Sequence, residues 1–129
     1  SSDLLIVLMK KYLFTLLLIF SFITPCFAAN WYWIGNDEGV NYFVDNDSVV
    51  KNQHQAFVVT KLVFPSGDYK IIQMRMNHDD QTYNFTSLYE YDSYNRMKYT
   101  YNYSTGSNLG LSIHINSFTE AVYHSLWSD

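Results

Sequence analysis

Cysteine is almost absent from this sequence: Cys26 is the only one in 129 residues. It lies in residues 9–28, MKKYLFTLLLIFSFITPCFA, where two lysines precede an apolar stretch that ends at a small-x-small cleavage site. This order of features is typical of a secretory signal peptide. We therefore expect an exported bacterial chain whose mature part has no disulfide, so that its stability depends on its apolar core.

A long apolar run is also missing. The stretch from Tyr12 to Ile23 is shorter than the roughly 20 residues that a helix needs to cross a bilayer. We therefore expect no stable membrane span after signal cleavage. Residues 1–8 are interpreted as an upstream extension that is not part of the fold, and residues 29–129 as a single domain in the periplasm or at the cell surface.

Basic residues are few. The chain has 8 Lys and Arg against 12 Asp and Glu, which gives a formal net charge of −4 at pH 7. Nucleic acids and anionic membrane surfaces are bound through basic patches. The charge balance therefore argues against nucleic acid as a partner.

Motifs for catalysis and for cofactor binding are missing as well. There is no G-x-S-x-G nucleophile elbow and no Ser/His/Asp set that sequence spacing would bring together. The segment Asp45-Asn46-Asp47 is like the start of a calcium loop, but valines follow where another oxygen ligand and a glycine are needed. The histidines lack the short spacing of metal ligands and fall in different predicted elements: His54, His78, His114 and His124. We predict no catalytic residue, no metal and no cofactor, and we do not expect an enzyme.

What the sequence does contain is a regular alternation of apolar and polar residues, interrupted by turn residues at short intervals. This pattern predicts antiparallel strands. The segment Ser117-Phe118-Thr119-Glu120 fits a capping box, which predicts a helix of about ten residues starting at Ser117. The predicted fold class is α+β, mainly β, with an antiparallel sheet of about six strands and one C-terminal helix packed on it.

Tyrosine is abundant: all but one of the 12 tyrosines follow the signal peptide. Strict alternation would place the rings at odd positions from Tyr83 to Tyr91 on one face of a strand, opposite those from Met97 to Tyr103 on the next strand. Two interpretations stay open, because such a ladder can be core beneath the final helix or an exposed recognition surface. The candidate binding surface consists of five residues: Tyr89, Tyr91, Tyr99, Tyr101 and Tyr103.

The C-terminal half also carries a recognisable order of segments. LYEYD at 88–92 is followed by a turn, by YTYNY at 99–103 and by IHINSFTEAV at 113–122. Near the start of the domain, Trp33-Ile34 and the segment YFVDNDS at 42–48 complete the pattern. This order resembles the surface-adhesin protein E family.

The resemblance implies a small antiparallel sheet with a C-terminal helix packed on it. For some members it also implies binding of host extracellular-matrix or plasma proteins such as laminin and vitronectin. The cysteine pair that often ties the family's sheet to its final helix has no counterpart in residues 29–129.

These observations lead to three functional hypotheses. The first is an exported envelope or surface protein of the surface-adhesin E type, a non-enzymatic module that binds a host or envelope protein through a sheet edge or exposed aromatic residues. The alternative is a periplasmic protein that binds a small ligand or an envelope component, and a minor hydrolase ranks third. The sequence also leaves open whether the chain forms a homodimer.

Overall fold

The computed structural model describes residues 2–23, 29–103 and 110–127. Its first helix, α1 (Ser2–Ile23), covers the expected upstream extension and most of the expected signal peptide. In this described part of the chain, no helix is both long enough and apolar enough to span a bilayer. Cys26 and the predicted cleavage site lie outside the described residues.

The described residues form one eight-stranded antiparallel sheet. Its strands are β1 (Trp31–Asp37), β2 (Val40–Asp45), β3 (Val50–Lys51), β4 (Gln55–Val63), β5 (Tyr69–Asn77), β6 (Thr82–Tyr91), β7 (Met97–Asn102) and β8 (Leu111–Ser112). The main order is β1-β2-β4-β5-β6-β7, while β3 pairs with β4 and β8 with β6. A 3₁₀ turn at Ile113–Ile115 leads into α2 (Ser117–Leu126). The predicted fold class is confirmed, with six strands on the main path and two short ones beside it.

The tight connections follow from residues that accept positive φ. Glu38 and Gly39 have φ of 51° and 82° and join β1 to β2 as a two-residue turn. Pro65 and Gly67, the latter with φ of 91°, make the turn between β4 and β5. These two turns form the β1–β2 and β4–β5 hairpins, in which consecutive strands pair directly.

The core lies between α2 and one face of the sheet, which we call the helix face; the opposite side is the open face. Val58, Met74 and Val122 are fully buried in this layer. Tyr42 meets Phe118 of α2 edge to face, with ring centroids 5.2 Å apart. A ten-residue helix is marginal alone, so its stability comes from this packing.

The start of α2 differs from the predicted capping box. The N-cap is Asn116, whose Oδ1 accepts the amide of Thr119 at 2.9 Å. Ser117 is already helical, and its Oγ donates instead to Asp37 Oδ2 at 3.0 Å. Glu120 contacts His114 at 3.1 Å and does not reach back to the cap. The capping-box assignment is wrong because the extended backbone of Asn116 puts an equally good capping side chain one residue earlier.

We expect Asn116→Ala to destabilise the domain by about 1 kcal/mol, because the Thr119 amide loses its acceptor. The measurement is the free energy of unfolding from a denaturant titration. Asn116→Ser is the matched control, since serine also caps helices well and should retain most of the stability. Equal losses in the two variants would contradict the role of Asn116.

Candidate functional site

The tyrosine ladder is interrupted by a bulge in β6. Phe85 pairs with Met74, and Ser87 pairs with Gln73, so Thr86 is an extra residue between them. Thr86 Oγ1 donates to the Gln73 carbonyl at 3.1 Å, and Ser87 Oγ donates to Gln73 Oε1 at 2.6 Å. A bulge shifts the alternation by one residue. The prediction that the odd positions of β6 share one face is therefore wrong.

A second irregularity lies between β6 and β7. Glu90 pairs with Tyr99, while the next pair is Tyr91 with Met97, which leaves Lys98 as the extra residue. Lys98 Nζ lies 3.7 Å from Glu90 Oε1. The alternation in β7 therefore also changes at Lys98.

The two bulges divide the five candidate tyrosines between the faces of the sheet. Tyr89 and Tyr91 lie on the open face, opposite residues of β5 that point away from the core. The other three project from the helix face of the sheet: Tyr99, Tyr101 and Tyr103. We call this group the tyrosine row. The structure does not bring the five together as one surface.

The tyrosine row lies beyond the helix, because α2 contacts β1 and β2 at the other end of the sheet. Tyr99 and Tyr101 are stacked with ring centroids 6.5 Å apart, and Tyr101 meets Tyr103 edge to face at 4.7 Å. Tyr99 is 49% exposed and Tyr101 is 47% exposed. By contrast, Tyr83 is 5% exposed and belongs to the core. The predicted tyrosine ladder is therefore buried in the core at Tyr83 and exposed on the surface at Tyr99 and Tyr101.

Tyr103, at the end of the tyrosine row nearest the core, is partly buried, and this changes the pKa of its hydroxyl. Burial raises the pKa of the Tyr103 hydroxyl, with smaller contributions from Tyr101 and Tyr99. The Tyr103 ring also meets Phe85 edge to face at 5.9 Å. The row is thus attached to the core at Tyr103 and reaches solvent at Tyr99 and Tyr101.

The open face carries a second group of rings. Lys61 Nζ lies 5.4 Å from the centroid of Trp31 and 4.5 Å from that of Tyr69. Tyr69 in turn stacks on Tyr91 at 4.9 Å. Burial lowers the pKa of Lys61, while the ring faces attract its ammonium group. The rings of Trp31, Tyr69 and Tyr91 therefore form one connected group with Lys61 on the open face.

A cleft of about 400 Å³ lies at one end of the open face, where β3 joins β4. It is lined by Val50, Lys51, Asn52, Gln55, Ala56, Phe57, Arg75, Asn77 and Asn84. None of these residues was among the candidate site residues from the sequence. The sequence feature that indicates one of them is the alternation in β5. It places Arg75 between two buried methionines and therefore on the solvent-exposed side of the strand.

The histidines take part in ordinary polar contacts. His54 Nδ1 lies 2.9 Å from Asp79, and His114 Nδ1 lies 3.1 Å from Glu120. Within the described ranges, no group of three or more His, Cys, Asp or Glu side chains comes close enough to hold a metal ion. The Asp45 carboxylate, at the segment like a calcium loop, accepts the amides of Asn30 and Asp47 at 2.9 and 3.1 Å. It therefore has a structural role in its turn.

Comparisons of the chain with protein-family models, with curated proteins and with solved structures gave no match. The surfaces of the molecule itself therefore carry the functional inference. The tyrosine row and the cleft are the two that combine exposure with distinctive side-chain chemistry.

Proposed function

We propose that this chain is an exported bacterial envelope or surface protein that binds another protein and catalyses no reaction, in the manner of the surface-adhesin protein E type. Support from the sequence comes from the signal-peptide pattern in residues 9–28 and from the protein E-like order of segments. The structural observation that carries the proposal is the exposed part of the tyrosine row, Tyr99 and Tyr101, on the edge strand β7.

Strand β7 offers backbone groups as well as side chains. It lies at one end of the sheet, and among the described residues it pairs with β6 alone. All six of its residues are exposed. An edge strand presents unpaired N–H and C=O groups, to which an extended segment of another chain can add as the next strand. Backbone bonds at β7 would then provide affinity without requiring one partner sequence.

The side chains of β7 suit a protein interface. Tyr99 and Tyr101 expose large rings, and Met97 is also exposed. Tyrosine is enriched at protein interfaces because its ring buries apolar area while its hydroxyl can still form hydrogen bonds. Lys98 Nζ lies 3.5 Å from Asp68 Oδ2, which places charged groups beside the rings. Apolar rings with a charged margin are the usual composition of a binding patch.

The test measures binding of the purified full chain to immobilised laminin and vitronectin, the partner types that the resemblance implies. We expect the double variant Tyr99→Ser/Tyr101→Ser to bind at least about tenfold more weakly, since central aromatic residues dominate interface energy. Tyr32→Ser is the matched control, because Tyr32 is 61% exposed but lies on β1 at the opposite edge. Unchanged binding of the double variant would reject the tyrosine row, and wild-type protein that binds neither ligand would reject a host-protein partner of this type.

Surface exposure is tested separately by adding protease to intact cells and detecting the chain. Cleavage supports a surface protein, whereas protection would place it in the periplasm and favour the alternative of a small ligand or an envelope component. A homodimer formed through two β7 edges would be detected by sedimentation. The apparent mass would rise toward twice that of the monomer as the protein concentration increases.

A further inference from the structure

The cleft on the open face is formed by side chains in register across four strands. Val50 pairs with Phe57, Phe57 with Arg75, and Arg75 with Asn84, so all four project to the same side of the sheet. Gln55 is two residues before Phe57 on β4 and therefore shares that side. Rigid neighbouring strands thus place one ring, one guanidinium and two carboxamides around a common space.

Arg75 is the unusual residue of the cleft. It is exposed, and its guanidinium group forms no hydrogen bond or ion pair with any residue in the part of the chain that the structure describes. The other cation of the lining, Lys51, already donates through Nζ to the Leu126 carbonyl of α2. No carboxylate is among the lining residues that the structure describes, although the chain has 12 Asp and Glu against 8 Lys and Arg. The cleft is therefore a cationic site on an acidic protein.

The carboxamides of the cleft differ in their availability. Asn52 Oδ1 accepts the amides of His54 and Gln55, at 2.7 and 2.8 Å, which fixes the rim. The side-chain amides of Gln55 and Asn84, in contrast, form no hydrogen bond within the described residues. Each carboxamide can both donate and accept. Two free carboxamides therefore suit a ligand that carries several hydroxyl groups.

These properties together define the chemistry of a ligand. The planar fork of an arginine matches a carboxylate with two parallel hydrogen bonds. The carboxamides match hydroxyl groups, and the face of the Phe57 ring can pack against C–H groups. An acidic sugar presents all three features within one ring. We infer that this cleft binds the uronic acid units of an acidic polysaccharide, with Arg75 on the carboxylate and Gln55 and Asn84 on the hydroxyls.

This inference does not rest on the proposed protein-binding function, because the tyrosine row lies on the other side of the sheet. The probe is trigalacturonate, titrated into the purified full chain and followed by calorimetry. We expect wild-type protein to bind it and Arg75→Gln to bind at least about tenfold more weakly, since loss of a bidentate carboxylate contact is costly. Asn84→Ala should weaken binding by a smaller factor, because a neutral hydrogen bond contributes less than a charged one.

Three controls make the experiment specific. Arg96→Gln removes the same charge from an exposed arginine that is paired with Asp92, and it should leave binding unchanged. The variant Tyr99→Ser/Tyr101→Ser should also bind trigalacturonate normally, which separates this site from the proposed protein interface. Each variant is first checked for an unchanged unfolding midpoint.

Three results would overturn the inference. The first is no binding of trigalacturonate to wild-type protein at millimolar concentration. The second is equal affinity in Arg75→Gln and Arg96→Gln. The third is binding of hexaglutamate as tight as that of trigalacturonate, which would make the cleft a site for acidic peptides.

Discussion

Replacing Tyr83 by aspartate should unfold the domain, whereas the same replacement at Tyr101 should leave it folded. Tyr83 is 5% exposed, pairs with Met76 across β5 and β6, and packs against Phe85 with ring centroids 5.3 Å apart. A carboxylate at that position would be buried without a partner, and such changes cost about 4 kcal/mol or more. Domains of this size lie toward the lower end of the usual range of about 5–15 kcal/mol, so a loss of about 4 kcal/mol or more removes most or all of the stability.

The Tyr101→Asp variant tests the other half of this expectation. Its side chain is 47% exposed beyond the end of the helix, so the new charge stays in water. We expect a loss below about 1 kcal/mol, as for most surface substitutions. The measurement is circular dichroism together with denaturant midpoints for both variants.

Tyr83→Phe is the matched control for the first variant. It keeps the ring and its packing while adding no charge, so it should stay folded. Equal midpoints for Tyr83→Asp and Tyr101→Asp would contradict the register of β6 and β7, and with it the assignment of Tyr101 to a binding surface.

The positions of Tyr83 and Tyr101 show which features of the sheet the sequence predicts and which it does not. Alternation correctly predicted an antiparallel sheet with about six main strands, because turn residues separate the apolar runs at short intervals, but it did not predict the short strands β3 and β8. It could not reveal that Thr86 is an extra residue, since a bulge is decided by pairing with Gln73 of the neighbouring strand. The residues between Thr86 and Lys98 therefore change face, and the second irregularity at Lys98 reverses the change, so the single tyrosine surface expected from parity becomes two.

For α2, the sequence predicts the position and length correctly but not the capping residue. Its position and length follow from the change to helical spacing after Asn116, and both were predicted. The cap was misplaced by one residue because Asn116 and Ser117 are both good capping residues. Contacts from distant strands decide between them, since Asp37 and Tyr42 take the Ser117 hydroxyl.

The cleft could not be predicted from the sequence. Phe57, Arg75 and Asn84 lie on three successive strands, and no motif connects them. Only the pairing of β4 with β5 and of β5 with β6 brings them into one row. A site that depends on register in this way has no local sequence signature.

The second large effect is expected at the helix: Val122→Asp should remove α2 from the sheet. Val122 is fully buried between α2 and the helix face. A carboxylate there has no partner in the core, so the expected loss is again about 4 kcal/mol or more. His124→Asp is the control, because His124 is exposed on the same helix and a charge near its C-terminus costs only about 0.3–1 kcal/mol. Similar denaturant midpoints for the two variants would contradict the docking of α2.

Loss of the helix should also abolish the cleft on the far side of the sheet. The last turn of α2 contacts the rim of the cleft, because Lys51 Nζ donates to the Leu126 carbonyl and Trp127 Nε1 donates to the Asn52 carbonyl at 3.3 Å. Strand β3 has only two residues, so these bonds contribute much of what holds it in place. In Val122→Asp we therefore expect trigalacturonate binding to be lost, whereas His124→Asp keeps it.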